Sequence, residues 1–239
     1  MAHQIALPQY SGWSSLARHG CRGEACPISG QTPVEELANA LTHGLGLLLS
    51  VAGISVLVVL ASIYGTVWHI VGASVYGATL VLVYAASTIY HSAPTGTPKR
   101  IFKDVDQAVI FLLIAGTYTP FTLGPLNGGW GWSLLGVAWG MALFGIGLKV
   151  WCNRYFRTMS VPLYLGLGWL GVVGAVPLLQ NLPLSGLLWL ALGGLAYSAG
   201  TIFYIWRKLP FNHAVWHITV MLGSGLHFFA VLFYVVPLG

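Results

Sequence analysis

Residues 32–63 read TPVEELANALTHGLGLLLSVAGISVLVVLASI. Thr32 can cap a helix, Pro33 suits its first turn, and Glu35 completes a capping box. After Glu36 the stretch carries no charge. The apolar run from Leu37 to Ile63 exceeds the roughly 20 residues that a helix needs to cross a bilayer. Six further runs of this kind follow, at about 67–91, 106–124, 130–151, 160–179, 184–206 and 212–236. The alternating pattern of a membrane β-barrel is absent, and inside lipid a lone backbone must satisfy its own hydrogen bonds as a helix. The expected fold is all-α: a polytopic membrane protein whose seven transmembrane helices fill residues 32–239. Residues 1–31 are polar and irregular, and are expected to form a flexible tail.

Composition agrees. Only 6% of the 239 residues are charged, and 56% are hydrophobic; a soluble domain carries roughly 25% charge. The net charge of +5 contains no basic run longer than two residues, so nucleic acid is not an expected partner. The ten positive residues are Arg18, Arg22, Lys99, Arg100, Lys103, Lys149, Arg154, Arg157, Arg207 and Lys208. With seven spans, all of them fall in or beside the tail and the loops after spans two, four and six. The positive-inside rule then puts the N-terminus in the cytoplasm and the C-terminus outside. Met1 to Gly30 shows no signal-peptide pattern, and Cys21, Cys26 and Cys152 make no disulfide framework. No internal repeat favours the inverted-repeat architecture of transporters.

The polar residues within the spans carry the chemistry. The acids are Glu24, Glu35, Glu36, Asp104 and Asp106. Asp106 begins the third span, where it either caps the helix or serves a function, since a carboxylate at membrane depth is costly. His91 ends span two, and His213 and His217 begin span seven, all on the expected cytoplasmic side. The four-residue spacing puts His213 and His217 on one helix face, about 6 Å apart along the axis. Helices use this spacing to present two imidazoles to one metal. Three histidines and one acid thus share one depth. Zn2+ suits three imidazoles with an open fourth position; magnesium or calcium would want more oxygen ligands, and ferrous iron or haem fit the pattern less directly. Glu36, Asn39 and His43 form a polar stripe on span one, either a second layer around the same site or ordinary helix packing. Ser87 lies one turn before His91 and could orient a ligand or donate to an oxyanion. His227, about 15 Å deeper than His217, reads as an interhelical hydrogen-bonder, and His69 as interfacial. His3, His19, Cys21 and Cys26 match no standard ligand spacing.

Several stretches together resemble the bacterial haemolysin III proteins of the progestin and adipoQ receptor (PAQR) superfamily. They are Glu36-Leu-Ala-Asn-Ala-Leu-Thr-His43, Ser87-Thr-Ile-Tyr-His91, Asp106 leading into Ile114-Ala-Gly-Thr-Tyr-Thr-Pro120, Gly168-Trp169, Gly193-Gly194-Leu-Ala-Tyr197, and His213-Ala-Val-Trp-His217 followed by Gly223-Ser224 and His227-Phe228. The resemblance implies a seven-helix fold with its N-terminus inside, and zinc held by His91, His213 and His217. It implies that Asp106 matches the acid that holds the water beside the zinc, and Ser87 the serine next to the site. It links the chain to lipid-amide hydrolysis of the ceramidase type and to membrane lipid homeostasis. One departure stands out: Gln107 follows the acid where bacterial relatives often have histidine.

The leading expectation is therefore a zinc-dependent hydrolase of a lipid-like amide in the bacterial inner (plasma) membrane, with a membrane lipid as substrate or ligand. A zinc-stapled sensor or regulator without enzymatic activity is the alternative. A cytolysin, as the family name suggests, is a third reading, although no amphipathic hairpin or secretion signal supports it.

Overall fold

The computed structural model describes residue 26 and residues 28–237, apart from the side chains of Arg154 and Arg157. Most of the expected tail, 1–31, lies outside the described residues. Among those described there is no strand. Eight α-helices follow one another: α1 (Pro33–Tyr64), α2 (Val67–Ser92), α3 (Thr97–Leu123), α4 (Gly129–Trp151), α5 (Asn153–Gly168), α6 (Ala175–Asn181), α7 (Leu184–Ile205) and α8 (Asn212–Tyr234). A short 3₁₀ segment, Trp169–Gly174, joins α5 to α6.

The helix starts follow local chemistry. At α1 the capping box forms as expected: Glu35 N donates to Thr32 Oγ1 at 3.3 Å, and Thr32 N donates to Glu35 Oε2 at 2.8 Å. The third helix differs from its sequence reading. It begins at Thr97, nine residues before Asp106, with Pro98 in its first turn. Asp106 is therefore a third-turn residue and caps nothing. Span five also differs. One helix was expected over 160–179, whereas the chain runs as a rod from Asn153 to Asn181 that loosens into 3₁₀ geometry at its centre. Tyr118 of α3 holds that centre: its hydroxyl donates to the carbonyls of Leu167 (2.9 Å) and Gly168 (2.7 Å) and accepts from Gly171 N (2.9 Å). Backbone groups freed from the α-helical ladder thus find a partner, as an apolar setting demands.

α1, α2, α4, α7, α8 and the length Thr158–Asn181 are long and apolar enough to cross a membrane, six in all. α3 is as long, but its first ten residues include Lys99, Arg100, Lys103, Asp104 and Asp106. Leu48, Ile63, Phe144, Val150, Val173, Leu184 and Ile205 project outward, each more than half exposed. Apolar surface on this scale belongs against lipid rather than water. The chain is an all-helical, polytopic membrane protein.

Going round the bundle, α2 packs between α1 and α3, α3 against α4, the α5–α6 rod between α4 and α7, and α8 between α7 and α1. Small residues let the rods approach closely. A Cβ on Gly77 would lie 2.3 Å from Ile54 Cγ1, and one on Gly116 2.2 Å from Thr79 Oγ1. On Gly72 it would lie 2.8 Å from Pro120 Cα, a backbone atom that no rotamer change can move aside. Ser224 of α8 is a polar knot in this packing. Its Oγ meets the hydroxyls of Tyr84 and Tyr197, both at 2.8 Å, and its carbonyl accepts from Tyr76 at 3.1 Å.

Gly72→Ala should lower the melting temperature of the purified protein in detergent, reflecting an overpacking cost of about 1–3 kcal/mol. Gly136→Ala and Gly140→Ala, where nothing stands within 4 Å of the added Cβ, should leave it unchanged.

Candidate metal centre

The last turn of α2 and the first two turns of α8 meet at one end of the bundle. His91 comes from α2, and His213 and His217 from α8. One nitrogen from each of the three lies within 4.8 Å of the others. The His91 ring centroid is 5.0 Å from both His213 and His217, and those two rings are 4.6 Å apart. All three Nε2 atoms are buried, and none has a hydrogen-bond partner.

The far side of two rings explains why Nε2 faces inward. His91 Nδ1 donates to Glu36 Oε2 at 2.7 Å. His217 Nδ1 lies 3.2 Å from the Asn39 carbonyl and 3.2 Å from Thr42 Oγ1. A carbonyl only accepts, so the His217 proton sits on Nδ1 and the Nε2 lone pair points away from it. A carboxylate or carbonyl behind the ring is the usual way proteins orient a metal-binding imidazole. His43 stacks face to face on His217, with centroids 3.4 Å apart and planes at 10°.

Glu36 is itself held. Lys99 Nζ lies 3.0 Å from Glu36 Oε1, and Ser29 Oγ donates to the same oxygen. Lys99, only 2% exposed, also donates to the carbonyls of Tyr90 (3.1 Å), His91 (3.4 Å) and Ala93 (3.3 Å), so it closes the C-terminal end of α2. The sequence reading took Lys99 only as an orientation charge. No local pattern marks it, because its three carbonyl acceptors and its carboxylate converge only after α1, α2 and α3 have packed.

Asp106 and Ser87 are neighbours, both buried, and Asp106 lies within electrostatic reach of His91. Ser87 Oγ has no hydrogen-bond partner. Asp106 is not one of the three converging groups; it stands beside them. Gln107, next in sequence, is turned to other helices. Its Oε1 accepts from Lys149 Nζ at 2.6 Å, and its carbonyl accepts from the Tyr164 hydroxyl at 2.7 Å. Lys149 also pairs with Asp104 at 2.6 Å. Asn39 is fully buried, and both of its side-chain polar atoms lack partners. His69 is remote: it accepts from Thr66 N at 3.0 Å at the start of α2. His3, His19 and Cys21 lie outside the described residues.

Asp106 and His43 also border a cavity of about 430 Å³. Its wall is otherwise mostly apolar and runs between α3, the α5–α6 rod, α7 and α8 as far as Leu126, Leu179 and Leu187. That size suits a small ligand or a length of lipid chain.

The residues fit a metal ion. Each unpartnered buried nitrogen costs about 1–3 kcal/mol unless something binds it. Three histidines whose ligand nitrogens lie within 4.8 Å of one another could hold such an ion.

Fold and site together define a polytopic helical membrane protein with a buried three-histidine cluster beside an apolar cavity. The family model "Haemolysin-III related" matches residues 31–228. The chain belongs to that haemolysin III family, within the PAQR superfamily. It is 46% identical to "Hemolysin-3 homolog" of Bacillus subtilis (strain 168) over 202 residues, covering 84% of this chain and 95% of the relative. It is 46% identical to "Hemolysin-3" of Bacillus cereus over 203 residues, covering 85% and 93%. It is 28% identical to the human "Monocyte to macrophage differentiation factor" over 210 residues, covering 84% of each.

Glu36→Gln weakens the acceptor behind His91 and keeps its shape. It should lower affinity for a bound divalent metal roughly 10–100-fold, measured by chelator competition. His217→Ala should abolish stoichiometric binding.

Proposed function

We propose that this protein is a zinc-dependent hydrolase of a lipid-like amide in the bacterial inner membrane, with seven spans, a cytoplasmic N-terminus and an external C-terminus. One observation carries the reading: three unpartnered histidine nitrogens converge beside a buried carboxylate that borders a chain-sized apolar cavity. Three imidazoles with room for another ligand suit zinc. When bound, zinc lowers the pKa of a water to about 7 and polarises a carbonyl.

The chain's own residues divide the remaining work. His91, His213 and His217 would hold the metal, with Glu36 and the Asn39 carbonyl setting the ring orientations. The Asp106 carboxylate orients the attacking water and takes its proton, then returns it to the leaving amine. Ser87 Oγ–H, beside the Asp106 carboxylate, donates to the oxygen that becomes negative. The cavity takes the acyl chain and keeps bulk water from the reacting carbonyl.

The topology rests on charge. Lys99, Arg100 and Lys103 lie at the α2–α3 end, Lys149, Arg154 and Arg157 at the α4–α5 end, and Arg207 and Lys208 at the α7–α8 end. That is the end that bears the histidine centre, and the opposite loops at 65–66, 124–128 and 182–183 carry no charge. Alkaline phosphatase fused after Leu126 should be active and fused after Lys208 inactive; the reverse would invert the orientation.

Asp106→Asn should lower kcat on a panel of long-chain N-acyl amides by about 10²–10⁴-fold with zinc content unchanged. The buried Glu36–Lys99 pair behind His91 favours a second reading, in which the metal staples α2 to α8 without catalysis. Full zinc occupancy with no turnover of any amide, and a normal Asp106→Asn variant in which only His91→Ala loses stability, would favour the staple.

A further inference from the structure

The hydrolytic reading leaves unused His227, a titratable group in the cavity wall. His227 lies ten residues after His217 on α8, about 15 Å further along the axis. It is 8% exposed and borders the cavity. Tyr197 stacks on it, with centroids 5.5 Å apart and planes at 25°. A Cβ on Gly193 would sit 2.7 Å from His227 Nε2, so only glycine lets the ring seat against α7. The Leu190 carbonyl, one turn earlier on α7, lies on the same side of the ring as Gly193.

His227 Nδ1 is buried and has no hydrogen-bond partner. The interhelical bond expected of this ring is therefore not made at Nδ1. The hydroxyl of Tyr197, whose ring stacks on His227, already meets Ser224 Oγ. A ring seated against a glycine, stacked by a tyrosine and left with one unpartnered nitrogen suits a hydrogen bond with a ligand hydroxyl. A plain alkyl chain would leave that nitrogen unpaired at a cost of about 1–3 kcal/mol, whereas a hydroxyl, which both donates and accepts, would satisfy it.

We propose that His227 Nδ1 recognises a hydroxyl on the ligand, and that the cavity takes a lipid whose chain carries that hydroxyl about 15 Å from its head group. The proposal rests on the cavity being the lipid site described above, with the head group at the histidine centre. His227 is then a specificity residue, remote from the reacting bond.

Ricinoleic acid and oleic acid differ only in a mid-chain hydroxyl, so they test this directly. Binding of each to the purified, metal-loaded full-length protein in detergent can be read by displacement of a fluorescent fatty acid. Ricinoleic acid should bind about five-fold tighter, the range expected of one hydrogen bond. His227→Phe keeps the stack and removes the ring nitrogens; it should bring ricinoleic acid to the level of oleic acid and leave oleic acid unchanged. α-Hydroxyoleic acid, whose hydroxyl is beside the carboxyl group, should gain nothing from His227. Equal binding of ricinoleic and oleic acids by the wild-type protein overturns the inference and leaves the lipid cavity standing. A gain for α-hydroxyoleic acid that His227→Phe removes overturns it as well. If none of the acids binds, the lipid reading of the cavity fails first, and this inference fails with it. The wild-type comparison decides even if the His227→Phe chain does not fold.

Discussion

The 2.7 Å bond between His91 Nδ1 and the Glu36 carboxylate is the contact on which the rest of the centre depends. It joins α1 to α2 and turns one imidazole so that its other nitrogen faces α8. A carboxylate buried at this depth must be neutralised, and Lys99 does so from the first turn of α3. The same lysine closes the last carbonyls of α2. Three helices are thus locked at one end of the bundle by a single run of charge, with Ser29 completing it from the segment before α1. Removing one member would strand the others, because a buried charge without its partner costs several kcal/mol.

That lattice divides the molecule into two regions. At its end of the bundle, polar groups gather: the three histidines, Asp106, Ser87, Asn39 and His43. Beyond them the interior is mostly apolar, with the Ser224 knot, His227 and a few buried threonines as its polar groups. The cavity runs between the two regions, and this is the form that a reaction on the head of an apolar molecule requires. Asp106 can serve such a reaction because α3 starts nine residues before it, which moves it from a helix end into the wall of the cavity. Gln107 and Lys149 brace the same turn of α3 against α4, and Tyr164 braces it against α5.

Much of this was legible in the chain itself. Apolar runs located every rod except the broken one, because lipid forces unbroken polar-free lengths. The His213/His217 spacing announced a pair of ligands, since a four-residue step is one helical turn. The broken rod was missed because the 3₁₀ stretch Trp169–Gly174 has no composition of its own; the Tyr118 hydroxyl that supports it lies 50 residues earlier in the chain. The start of α3 was missed because hydropathy marks where a helix meets lipid rather than where it begins.

The sequence by itself determined the helical class, the approximate place of each rod, the clustering of positive charge in alternate loops, and the identity of the three converging histidines. These depend on composition and on periodicities of a few residues. Only the tertiary structure decided which nitrogen His91 and His217 present, that Glu36 and Lys99 stand behind His91, that Asp106 lies beside the centre rather than at a helix cap, and that His227 keeps an unpartnered nitrogen. Each of these depends on groups 8 to 178 residues apart meeting across helices. Those meetings are set by side-chain packing, which no local pattern along the chain records.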